Sequence, residues 1–497
     1  YRATVRNVLE FSPEVLKRFV NFMNNPDERT AVEQFGKGDK YIGCCLLMIT
    51  MPGLPMFGHG QIEGYTEKYG MEYRRAYWDE HVDEELVRRH ERELFPIMRK
   101  RYLFSGVEHF AFYDFHSEHG HVDENVFAYS NRAGGERSLI FYNNAYNSTA
   151  GWIRQSTGLN QGRGDEGHVI SKSLADALGL RREDNVYYAF RDHREGLEYI
   201  RHSRQLCDEG MFVHLNAYGW HAFIDWREIV DTDGSWGDLA WRIEGRGVGS
   251  LDYEKRDWEL APLISAFNKF LNVERLREFV SPSGNNPTVK EFAPSIIDDL
   301  NELLKVANAF IGGGKTDLRP AISYIHACCT RRTLRFASGE LDLAPDQLGS
   351  VDSSGIWPVY FCYWLLATLR TALSVSVANA NFVAWLDEYH LSARVYQALG
   401  TVLGNDDEAR DAFARLRIVL QFVNPTEGSD SDPCYMERTL LQILEVPEGQ
   451  QYLQVNEFEG TKYLNRERLE ILYFAVLDCY KIRNFSEGID LEANIGE

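Results

Sequence analysis

Two short apolar runs, separated by one helix-length segment, constrain this chain most. Arg18-Phe19-Val20-Asn21-Phe22-Met23 reads as a strand that ends in the turn-forming run Asn24-Asn25-Pro26-Asp27. Leu54-Pro55-Met56-Phe57 reads as a second buried strand, ended by Gly58-His59-Gly60. The stretch between them, about Glu28 to Thr50, has the pattern of one helix stopped by Pro52-Gly53. Strands joined through a helix pair in parallel, since the crossover returns the chain to the same edge. A charged amphipathic helix is expected next, over about Asp83 to Tyr102. Two strand–helix units cannot close an eight-stranded barrel, so residues 1–108 are read as at most the C-terminal part of a β/α (TIM-type) barrel.

The texture then changes twice. Phe110-Ala111-Phe112-Tyr113, Val126-Phe127-Ala128-Tyr129 and Ser138-Leu139-Ile140-Phe141-Tyr142 are aromatic and β-branched runs divided by Gly, Asn and Asp turns. Met211 to His214 and His221 to Trp226 add two more. Residues 109–254 therefore predict an antiparallel β-sandwich, interrupted by a mixed insertion near 170–208. From 255 to 497 helical spacing dominates, as in Ile296-Ile297, Leu300, Leu303-Leu304 and Ala307, and in Leu469 to Tyr480. Loops at Ser281 to Pro287 and Asn424 to Pro433 separate the helices. The predicted fold class is thus multidomain, α/β plus all-β plus all-α: a partial (β/α)8 barrel, an antiparallel β-sandwich and a C-terminal all-helical domain.

The formal net charge of -21 argues against nucleic acid as a partner. Arg74-Arg75, Arg88-Arg89 and Arg99-Lys100-Arg101 lie among acids and read as solvated helix faces. The longest apolar stretch, Trp357 to Leu369, is too short to span a bilayer, so no membrane association is expected. None of the 8 cysteines forms a C-x-x-C pair, and Cys44-Cys45 and Cys328-Cys329 sit in apolar stretches. They read as reduced core thiols, which leans towards a cytoplasmic protein. Two sequons, at Asn147 and Asn484, are too short to carry weight. The chain opens on Tyr1 with Val5, Val8 and Leu9 at helical spacing, so a preceding segment is expected.

Parallel strands present their chemistry at their C-terminal ends. The two runs would aim Asp27, His59, Gln61 and Glu63 at one rim. The plainer alternative makes Asn24 to Asp27 a turn plus an N-cap for the next helix. Tyr65, Tyr69, Tyr73, Tyr77 and Trp78 follow; they read either as a sugar-stacking cleft or as a core stripe on a helix. His116-Ser117-Glu118-His119-Gly120-His121 has metal-like density, but reads better as a solvated hairpin loop than as a zinc site. Asn143, Asn144, Asn147 and Asp225 offer oxygen ligands without the spacing of a calcium loop, so no cofactor is assigned. Trp220, Trp226 and Trp236 read as β-domain core.

In order, Asn25-Pro26-Asp27, a helix, Pro52-Gly53-Leu54-Pro55 and His59-Gly60-Gln61 resemble the α-amylase family. There a seventh barrel strand ends in Asn-His-Asp, and Pro-Gly-x-Pro leads into the eighth. Val126 to Arg132, Leu139 to Asn144 and Ala222 to Trp226 resemble that family's C-terminal β domain. The resemblance covers roughly 15–235 and implies action on α-linked glucans. It makes Asp27 the transition-state-stabilising carboxylate, with Asn25, His59, Gln61, Glu63 and Tyr65 as substrate contacts. Pro26 stands where the family has His, which removes a donor at that point. The family's nucleophile and acid/base lie on earlier strands and have no match here, so no turnover by the chain alone is expected. Two other readings are a non-catalytic glycan- or protein-binding member of the same fold, and a helical interaction module over 255–497.

Overall fold

The computed structural model describes residues 1–68, 75–161, 168–280, 289–311, 321–322, 325, 356–373, 381–423 and 435–486. The chain divides into two compact units, Tyr1–Arg256 and Asp257–Glu497. Both helix and antiparallel sheet are abundant.

In the first unit the two apolar runs form strands β1 (Val20–Phe22) and β2 (Leu54–Met56). They pair in parallel, with Val20 opposite Leu54 and Phe22 opposite Met56. Between them the expected single helix is two: α1 (Ala31–Phe35) and α2 (Asp39–Thr50). The break follows from Gly36-Lys37-Gly38. Gly36 closes the first helix at φ 73°, a conformation that other residues adopt at a cost, and Gly38 occupies the N-cap of the second. Carbonyls at and just past the end of α2, which lack helical partners, are met by the guanidinium of Arg101, which donates to Ile49 O at 2.8 Å and Met51 O at 2.9 Å.

The helix expected over Asp83 to Tyr102 is also segmented. Glu84–Arg89 is α-helical, His90–Leu94 makes a wider π turn, and Phe95–Met98 and Arg101–Phe104 are short helical turns. Pro96 explains the change. It has no N–H for the i−4 carbonyl, and the Phe95 amide instead reaches back to His90 O.

The antiparallel part contains a six-stranded sheet in the order 198–202, 186–192, 220–230, 136–143, 126–133, 111–113. A three-stranded sheet has the order 211–215, 149–153, 116–117. All five runs picked out by their aromatic and β-branched content fall on these strands. The segment 170–208 does not interrupt the main sheet. Its strands Val186–Asp192 and Glu198–His202 extend that sheet beyond Trp220–Val230. One apolar core runs from Val5 through α2 and both sheets to Trp226, so no core boundary falls at residue 108. Trp220 and Trp226 belong to it, as expected; Trp236 packs on a small satellite cluster.

The second unit is built on the helix Ile356–Ala372, whose side chains from Pro358 to Arg370 are all buried. Apolar residues on every side are what a central helix needs. Around the same core lie Ala261–Phe270, Val289–Ile311, Leu391–Leu403 and Asp406–Phe422. An exposed hairpin, Asn456–Phe458 with Thr461–Tyr463, corrects the all-helical expectation. Its tight Glu459-Gly460 turn has positive φ at both positions, a two-residue connection that lets short strands pair without a core. Among the described residues no helix is long and apolar enough to cross a membrane. The described thiols Cys44, Cys45, Cys207 and Cys362 are free; Cys328, Cys329, Cys434 and the Cys479 side chain lie outside the described set, as do both predicted loops.

Candidate functional site

The parallel register carries Met23-Asn24 and Phe57-Gly58 side by side. Asn24 is buried, and its amide lies flat against Gly58. A Cβ placed on Gly58 would stand 2.4 Å from Asn24 Nδ2 and 2.5 Å from Asn24 Oδ1. Only a glycine admits that approach, so the two strand ends are held together by a contact that neither motif spells out.

Beyond Asn24 the chain turns. Asn25 Oδ1 accepts the amides of Asp27 and Glu28, both at 2.9 Å. The next helix is capped by Thr30, whose hydroxyl takes the Glu33 amide. The turn of the plainer alternative is therefore present, but Asp27 is not its N-cap. Asp27 is exposed, and its backbone carbonyl accepts Lys68 Nζ at 2.9 Å, which ties this turn to the loop after Gly58.

That loop splits the remaining predicted residues by role. Gln61 is buried; its Oε1 accepts the Gly58 backbone N–H at 3.0 Å, and its own backbone N–H donates to Gly58 O at 3.2 Å. Its carbonyl accepts the Tyr41 hydroxyl at 2.7 Å, and that hydroxyl lies 3.1 Å from His90 Nε2. Burial pulls the His90 imidazole below its ordinary value, against the opposing pull of the Leu86 carbonyl, and pushes the Tyr41 phenol up. Gln61 thus braces the turn from inside. His59 is exposed, with its ring 6.3 Å from that of the half-buried Tyr65. Glu63 is half-buried, and its carbonyl accepts the Asp83 amide at 2.9 Å.

The loop closes through two carboxylates acting in opposite directions. Glu80 accepts the Thr66 hydroxyl at 2.6 Å and the Thr66 and Glu67 amides, both at 2.8 Å. Glu67 accepts the amides of Tyr77 and Trp78 at 2.7 and 3.0 Å. Burial raises the Glu80 carboxyl, but the Thr66 and Glu67 donors outweigh it and hold the group below its ordinary range. The clamp leaves Tyr77 71% and Trp78 58% exposed. Neither is helical, so the core-stripe reading fails for these two; Tyr69 and Tyr73 lie outside the described residues.

The other candidates fare differently. His119 and His121 stack at 6.2 Å on an exposed turn, and Ser117 Oγ lies 3.1 Å from His121 Nδ1. Asp225 pairs with Lys100 at 2.5 Å. Asn143 is buried and donates to the Asn147 and Asn216 carbonyls. One group went unread in the sequence: Asp192, Glu195 and His221, whose donor atoms lie within 4.8 Å of one another. Asp192 and His221 are 29 residues apart and meet through the pairing of Asp192 with Phe223. No local spacing signals that.

No protein-family model matches the chain, and no curated protein matches it. Solved structures similar to parts of it include the α-amylase of Geobacillus thermoleovorans in complex with acarbose. That likeness is 12% identical over 45% of this chain and 43% of that one, with a TM-score of 0.31. An Anoxybacillus α-amylase is 13% identical over 42% and 38%, at TM-score 0.26. The cyclomaltodextrin glucanotransferase CldA is 12% identical over 46% and 43%, also at 0.26. The chain spans less than half the length of these structures, and the relation is a weak structural one.

Proposed function

We propose that the first unit is the closing portion of an α-amylase-type scaffold, and that its rim binds an α-linked glucan. One observation carries the reading. The two parallel strand ends are locked together by Asn24 and Gly58, so the turn of Asn25 and Asp27 sits beside the loop of His59, Glu63 and Tyr65. That loop also displays Tyr77 and Trp78 to solvent. Flat aromatic faces beside hydroxyl-seeking carboxylates and amides suit a pyranose chain.

In this reading Asp27 hydrogen-bonds sugar hydroxyls, and Asn25 sets the turn that presents it. His59, Glu63 and Tyr65 contact the neighbouring ring, while Gln61 acts from beneath as a brace. Pro26 supplies no side-chain donor. The resemblance matches one of the family's three carboxylates, so binding rather than turnover is the property proposed for these residues.

The test is affinity electrophoresis of the full chain in soluble starch, with maltoheptaose calorimetry alongside. Retardation by starch is expected, with none by a β-linked glucan. Asp27→Asn and Trp78→Ala are each expected to weaken it. Equal mobility with and without starch, or mobility that neither variant changes, overturns the reading. Reducing sugar released above background overturns the expectation of no turnover.

A further inference from the structure

The Asp192, Glu195 and His221 group lies on the antiparallel sheet and has no part in the glucan reading. Asp192, at the end of its strand, is fully buried. Its Oδ1 accepts the amides of Arg194 and Ala222 at 3.2 and 3.3 Å, which fixes the carboxylate. Its Oδ2 stands 2.7 Å from His221 Nδ1. The other ring nitrogen, Nε2, is 3.1 Å from the backbone carbonyl of His214. A carbonyl only accepts, so Nε2 carries the hydrogen. That is the outer partner that metal-bound imidazoles have, and it fixes the ring's tautomer.

Nδ1 faces a carboxylate oxygen at 2.7 Å, a place that a proton on Nδ1 or a bound cation can fill. A single proton is one occupant. Glu195 argues for a larger charge, because it adds a second carboxylate within 4.8 Å of the same atoms. Two anionic oxygens and one imidazole nitrogen match a divalent ion, at bonds of about 2.0–2.2 Å. Glu195 is exposed and accepts from the Tyr199 hydroxyl at 3.1 Å, so it is the member free to swing inwards. Arg194 lies over the Trp220 ring, and Arg201 donates to the Ile200 and Gly245 carbonyls. The group opens on a cavity of about 520 Å³ lined by Tyr199, Phe212 and His214. We propose that Asp192, Glu195 and His221 form a three-ligand site for a divalent transition-metal ion of the zinc type, with its open face towards that cavity.

The test uses the full chain stripped with a chelator and titrated with Co²⁺ at neutral pH. One equivalent is expected to give a visible absorption band, discharged by Zn²⁺. Glu195→Gln alters an exposed residue and should leave the circular dichroism unchanged, yet weaken Co²⁺ binding at least about tenfold. His221→Asn should abolish the band. Absence of the band, or a band that Glu195→Gln leaves intact, overturns the proposal. The first outcome assigns the gap to a proton alone, and the second places the ion elsewhere, as at His119 and His121.

Discussion

The strand-end rim and the sheet cavity are both built from polar side chains, but they are held in different ways. Above the Asn24–Gly58 contact, the exposed part of the rim is set by turns and short clamps: Asn25 by its own turn, Thr66 and Trp78 by Glu80 and Glu67. In the sheet, Asp192 and His221 are set by the register of two long strands and by the core beneath them. A site of the first kind tolerates change at its tip. A site of the second kind transmits change into the fold.

The largest effect should therefore come from the sheet. Asp192→Ala removes a fully buried carboxylate that faces the half-buried His221 ring and accepts two amides, at a cost of about 3 kcal/mol in denaturant unfolding. A loss below about 1 kcal/mol would show that the pair is no more structural than the rim. Gly58→Ala comes next. Its new methyl group meets Asn24, and about 2 kcal/mol of destabilisation is expected by the same measurement. An unchanged midpoint would mean that the two strand ends are not locked. Tyr77→Ala with Trp78→Ala should move stability by less than about 0.5 kcal/mol. The pair should weaken starch binding by roughly threefold to tenfold, the worth of lost ring contacts.

The smallest effect is in acid. Glu80 is a weaker base in the folded loop than in an open chain, so its clamp is complete at neutral pH. It is lost as pH falls through that lowered value, below the ordinary glutamate range near about 4.3. Hydrogen exchange at the Thr66 and Glu67 amides should accelerate there, after correction for intrinsic rates, while amides of the main sheet stay protected. Uniform acceleration in both places would erase the distinction between the two regions.

The same contrast decides what could be read from the sequence. Aromatic runs such as Val126 to Tyr129 announce strands, because their packing demand is local and repeated. The parallel pair was legible from the turn residues and the helix between its strands, although Val20, Phe22 and Leu54 are exposed and the second strand is not the buried one its apolar run suggests. The break at Gly36 was written in two glycines but outvoted by the apolar periodicity on either side. The π turn at His90 depends on how Pro96 strands a carbonyl, which periodicity does not reveal. The placing of Asn25, Asp27 and His59 beside the strand ends was legible because they are contiguous with them; that of Gln61 was too, but its burial and bracing role were hidden. Asp192 and His221 become neighbours only once a 29-residue excursion is folded back. Adjacency of that kind lies in the pairing of strands and not in any window of residues.

The wedge of Asn24 against Gly58 makes two separate stretches of chain inherit a shared fate. Divergence in length can accumulate past Asp27, or past Tyr65, without disturbing the partner stretch. An insertion between Phe22 and Asn24, or between Met56 and Gly58, would unseat both at once. Descendants of this sequence should therefore vary their loops freely downstream of that wedge and hardly at all upstream of it.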